Sequence, residues 1–136
     1  MKSNLHKNFK TNSALEEQGV FFQVEEGVKF LIARFSADSE KVQAATLKYL
    51  KPYVRQIQSN QLSAKKRTEI SVTTFVHACV IGWEGVTDAE GNLIPFSKEN
   101  CIELLLELPE LFRTLEEYSS DANNYKDDVK EELGNS

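Results

Sequence analysis

Residues 20–35 read VFFQVEEGVKFLIARF, and this stretch constrains the fold more than any other. Val20, Phe22 and Val24 alternate with exposed-type positions, and Val28, Phe30 and Ile32 repeat the pattern after Glu25-Glu26-Gly27. Side chains of a strand point alternately to its two faces, so each run places its apolar residues on one side. The acidic, Gly-ended turn between them predicts a β-hairpin. A lone hairpin is barely stable in water, so its apolar face must pack on something else.

The rest of the chain offers helices for that purpose. SADSEKVQAATLKYLKPYVRQIQ opens on Ser and Asp residues suited to N-capping, and Leu47, Leu50, Val54 and Ile57 fall on one helical face. Pro52 removes the backbone donor to the Lys48 carbonyl and predicts a kink or restart. LSAKKRTEISVTTFVHACVIGW is ambiguous. Its β-branched residues favour strand, but its length and the Val72, Phe75, Val76, Cys79, Trp83 spacing predict a buried helix capped by Ser63 and ending at Trp83. Ser97 can cap a helix through KENCIELLLEL, and Pro109 can open the next, with Leu111, Leu115 and Tyr118 along one face. The expected fold is α+β, mostly helical, with an N-terminal β-hairpin packed on a bundle of about four helices. Its predicted organisation is a flexible N-terminal tail over 1–19, a single domain over 20–118 and an acidic C-terminal tail over 119–136.

At 136 residues, 40% apolar and 27% charged, the chain suits one globular domain able to bury a modest core. No apolar run is long enough to span a bilayer. The basic start has no apolar segment of the signal-peptide kind. Cys79 and Cys101 lie in apolar surroundings and are expected as buried thiols of a reducing compartment. The net charge of −5 conceals a segregation. Residues 41–67 carry seven basic residues and no acidic one, whereas residues 98–136 carry eleven acidic against four basic.

Tests for chemistry return little. Counted as a calcium loop from Asp88, Glu90 and Asn92 fill positions 3 and 5, but position 6 is Leu93 and Gly91 falls at position 4, two places early. A turn stabilised by Asp and Gly explains TDAEGN better. His77, Cys79 and Cys101 have no zinc-ligand spacing, and on a helix His77 and Cys79 point about 200° apart. The scattered glycines form no phosphate loop. No nucleophile, base and orienting group come together. The expectation is no enzyme, no catalytic residue, no metal and no cofactor.

GWEGVTDAEGNLIPFSKENCIELLLELPELFRTL, residues 82–115, together with the upstream VKFLIARF and LKPYVRQ, resembles the tail assembly chaperones of long-tailed, siphovirus-type bacteriophages. The similarity runs from Val20 to Tyr118 and rests on the order and spacing of several motifs. It implies a protein that binds the tape measure protein, keeps it soluble and promotes assembly of the tail tube protein around it. It further implies residence in the host bacterial cytoplasm, absence from the mature virion and, as in many such families, a longer form made by ribosomal frameshift.

For the acidic loop after Trp83 two readings stay open. The indole is a staple holding Leu93, Ile94 and Phe96 against the core, or Trp83 and Phe96 join Leu111, Phe112 and Leu115 in an apolar patch for client helices. The charge segregation suggests self-association into a ring or spiral, with Lys41, Lys48, Lys51 and Arg55 facing Glu103, Glu107 and Glu110 of a neighbour. Two other functions are a structural tail or neck component of the virion and a nucleic-acid-binding regulator using the basic helix. The acidic balance of the whole chain argues against nucleic acid, and no membrane partner is expected.

Overall fold

The computed structural model describes residues 4–127. The hairpin forms as its alternation dictates. β1 (Val20–Glu25) and β2 (Val28–Ile32) run antiparallel with Val20 opposite Ile32 and Phe22 opposite Phe30. A third strand, β3 (Val80–Glu84), pairs antiparallel with β2, placing Trp83 opposite Phe30 and Val80 opposite Ile32. The sheet order is β1-β2-β3, and the fold is α+β, mostly helical.

This third strand corrects the reading of residues 70–83 as one helix. α5 (Ala64–Cys79) is capped by Ser63, whose hydroxyl accepts from the Lys66 amide. It stops at Cys79, and Trp83 lies on a strand. The switch has two causes: Val80 and Ile81 favour extended backbone, and β2 offers an unpaired edge that β3 completes.

The basic segment breaks up around Pro52. α3 (Glu40–Ala45), capped by Ser39, leads into a π-helical turn (Thr46–Leu50), a 3-10 turn (Lys51–Tyr53) and α4 (Val54–Gln58). A π turn holds more residues than an α turn and a 3-10 turn fewer, so the apolar stripe drifts. Leu47 and Val54, expected on the buried face, are therefore exposed, and Val42 and Ala45 are buried instead.

α5 lies at the centre, packed on α3 to one side and on α6 (Lys98–Glu107) to the other. α6 begins at Ser97, whose hydroxyl accepts from the Asn100 amide, and α7 (Pro109–Ser120) begins on its proline. Phe30, Ile32, Val72, Phe75, Val76, Leu105 and Leu115 form the centre of the core. Each such fully buried side chain contributes roughly 1.5–3 kcal/mol.

Both chain ends add to this frame. Within the expected N-terminal tail, α1 (Leu5–Phe9) and α2 (Ser13–Gln18) form, and Glu16 meets Arg34 at 2.7 Å. Within the expected acidic tail, α7 runs to Ser120 and a 3-10 turn (Ala122–Tyr125) follows. Tyr125 is fully buried, donates its hydroxyl to the Ile32 carbonyl at 3.2 Å, and accepts the Asn12 amide on its own carbonyl at 2.7 Å. One aromatic ring thus ties the two ends to β2. The rest of that tail, residues 128–136, lies outside the described residues.

Candidate functional site

The loop after β3 is built locally. Asp88 accepts from the Glu90 and Asn92 amides at 3.0 and 2.9 Å, and these hydrogen bonds hold its carboxyl below the usual carboxylate range. Thr87 bridges to Leu93, and the Ile94 amide donates to the Val86 carbonyl. Trp83 closes the loop: its indole N–H donates to the Ile94 carbonyl at 2.9 Å, and its ring meets Phe96 and Phe30 edge-on at 5.2 and 5.8 Å. The tryptophan is a staple between sheet and loop.

Close backbone packing fixes the far side. Gly85 has φ +76°, and a Cβ there would fall 1.9 Å from the Gly27 carbonyl oxygen in the hairpin turn. Only glycine allows this approach. The contact sets Val28 and Val86, which follow the two glycines, toward the same open groove.

That groove, of about 380 Å³, runs between the hairpin, Val86 and the α6–α7 corner. Val24, Val28, Val86, Leu104, Leu108 and Leu111 line it, with Glu25 and Glu110 as its charged members. Leu108 stands 46% exposed at its edge. The proline after Leu108 starts α7 and turns the chain, which keeps that leucine out of either helix body.

The residues expected to meet a partner do not form one patch. Leu111 lines the groove. Trp83 and Phe96 belong to the staple. Phe112 turns to α5, edge-on to Phe75 at 5.5 Å, beside a separate shallow cleft containing Arg67, Pro109 and Arg113. Leu115 is fully buried in the core. Val24, Val28, Val86 and Leu108 are the groove residues that the sequence reading passed over. Leu108 carried a signal, an apolar residue directly before a helix-opening proline.

The charged residues expected to drive self-association are all exposed. Lys41 donates to the Glu17 carbonyl at 3.3 Å, Lys48 lies 5.3 Å over the Tyr49 ring, and Lys51 and Arg55 share a shallow cleft with Pro52. Glu103 and Glu107 are exposed on α6, and Glu110 pairs with Arg113 at 3.1 Å.

Groups with chemical potential are used structurally. Burial pushes the Cys79 and Cys101 thiols up to about 12, against the opposing charge of Lys98, so neither is a ready thiolate. Lys98 donates to the carbonyls of Val76, at 3.0 Å, and Val80, closing the C-terminal turn of α5. Burial lowers its pKa. His77 stacks on Tyr49 with centroids 4.6 Å apart, and burial followed by the charges of Lys98 and Lys48 lowers its pKa. His77 and Cys79 lie on one helix and project in different directions, as a residue spacing of two requires.

Among the described residues no helix is long and apolar enough to cross a membrane. No curated protein and no solved structure matches the chain. The family model described as YdaY prophage protein matches residues 37–135, from the loop before α3 through β3 and the groove helices to the penultimate residue. The chain belongs to the YdaY prophage protein family and is of phage origin.

Proposed function

We propose that this protein is a phage tail assembly chaperone, which binds the tape measure protein, keeps it soluble and promotes assembly of the tail tube around it, without catalysis. The open apolar groove at the α6–α7 corner carries the reading. An amphipathic client helix can lay alternate turns of its apolar stripe into such a groove. The motif order that resembles the chaperones, and membership of a prophage protein family, favour a tail-assembly client over other apolar partners.

The groove sets the strength of the contact. Two or three aliphatic anchors gain roughly 1.5–3 kcal/mol each on full burial. Association itself costs about 4–15 kcal/mol, so one copy holds one site weakly. A long client offers many sites, and several linked copies raise the overall avidity while each contact stays reversible. Weak single contacts suit a chaperone that must leave as the tube closes. They also fit action on the client together with the tube protein and with other copies of itself.

Co-expression with the tape measure protein tests the reading. The wild-type chain should move the client into the soluble fraction and co-purify with it. Leu108→Glu places a charge at the exposed groove edge without entering the core, and should abolish both effects. A client equally soluble with or without the chain, or a Leu108→Glu variant as effective as wild type, overturns the proposal.

A further inference from the structure

Among the described residues, two of the most exposed large apolar side chains sit together on α1: Leu5 is 62% exposed and Phe9 76%. They are four residues apart on one helix face, and α1 buries none of its residues. The same arm carries His6, Lys7 and Lys10, and residues 4–15 hold no acidic side chain. An apolar pair flanked by positive charge is the complement of an apolar groove with Glu25 and Glu110 at its walls. Exposed Glu26 follows Glu25 directly, and exposed Glu107 stands three residues before Glu110. Glu110 is free to exchange partners, because its pairing with Arg113 is largely exposed and contributes little.

We infer that the groove of one copy holds α1 of a second copy, Leu5 and Phe9 entering between Val28, Leu108 and Leu111. The contact runs between molecules because α1 is anchored away from its own groove. The Asn12 amide donates to the Tyr125 carbonyl at 2.7 Å, and Lys126 donates to the Asn8 carbonyl at 2.5 Å. Tyr125 is hydrogen-bonded to Ile32, opposite the first residue of β1. The groove lies at the turn end of that strand, where Val24 and Glu25 line it, about 15 Å away at ~3.3 Å per residue. An arm that enters the neighbour's groove leaves its own groove open to the next arm, so the contact is heterologous and builds a ring or an open chain. It needs the groove but no client, and a client helix would compete with the arm for the same surface.

The test is sedimentation velocity of the purified full chain over a concentration series, with two charge variants. Leu5→Asp with Phe9→Asp removes the arm's apolar pair and touches no core residue. Glu25→Lys with Glu110→Lys reverses the groove walls at exposed positions. Wild type should gain mass with concentration, and each variant should need at least about tenfold more protein to do so. An equimolar mixture of the two variants should form a two-chain species and nothing larger, since one supplies the groove and the other the arm. A wild type that stays monomeric, a Leu5/Phe9 variant that assembles like wild type, or a mixture that stays monomeric overturns the inference. Far-UV circular dichroism confirms that both variants remain folded. No tape measure protein is in the cell, so failure here is separate from failure of the chaperone assay.

Discussion

Replacing Gly85 by alanine strikes the contact on which the groove is built. The new Cβ would lie 1.9 Å from the Gly27 carbonyl oxygen and 3.0 Å from its carbon, so the backbone of the turn must move. Overpacking of this kind costs about 1–3 kcal/mol. Holding alanine at φ +76° adds about 1–2 kcal/mol. Loss of glycine's freedom in the unfolded chain returns about 0.4–1 kcal/mol. The expected destabilisation is therefore about 1–4.5 kcal/mol, a substantial share of the ~5–15 kcal/mol typical of a domain. Two controls separate the terms. Gly91 has φ +87° but open space around a Cβ, and Gly82 has open space without the positive φ. Gly91→Ala should cost no more than about 1.5 kcal/mol, and Gly82→Ala should lie within about 0.5 kcal/mol of wild type. Urea unfolding followed by fluorescence gives all three values, because Trp83 is the single tryptophan and sits on the neighbouring strand. Equal losses at Gly85 and Gly91 would refute the claim that turn and strand exit are locked by close approach.

Two further outcomes follow from burial. Cys79 and Cys101 are fully enclosed, with thiols pushed up to about 12, so a thiol reagent should modify both rapidly in urea and slowly in the native protein. A fast native phase for either would show that the core between α5 and α6 is open. The His77 imidazole is held below its ordinary value of 6.5, so the unfolded chain takes up its proton first as pH falls. Its contribution to stability is thus level above the unfolded value and declines as pH drops from 6.5 toward the lowered folded value. Thermal midpoints at about pH 7.5 and about pH 5.5 should differ more for wild type than for His77→Gln. An equal difference would assign the acid sensitivity to other groups.

What could be read from the sequence was what neighbours in the chain decide. Ser39, Ser63 and Ser97 cap their helices because capping joins residues three apart. The hairpin follows from alternation about Gly27, and Pro109 opens α7 by its own fixed backbone. The end of α5 was not legible. Val72 to Ile81 suits helix by spacing and strand by side-chain type, and the edge of β2, far away in sequence, decides where one gives way to the other. Leu47 was misplaced because a π turn rotates the stripe, and no residue in TLKYL announces it. The groove escaped notice for a related reason. Val24, Val28, Val86 and Leu108 come from four separate segments, and the pairing of β2 with β3 together with the Gly27–Gly85 contact brings the hairpin and loop together. Tyr125 sat in a polar stretch without periodicity, yet its ring is the anchor of both termini.

The pairing of β2 with β3 has a consequence for biosynthesis. Ile32 meets Val80, so the hairpin leaves the ribosome about 50 residues before its third strand, a delay of several seconds at ~5–20 residues per second. Throughout that interval β2 presents a bare hydrogen-bonding edge beside Phe30, the kind of surface that invites pairing between nascent chains on neighbouring ribosomes. The helices that follow must fold in order and deliver Val80 to that edge, which makes prompt completion of α5 the step that separates productive folding from co-translational aggregation.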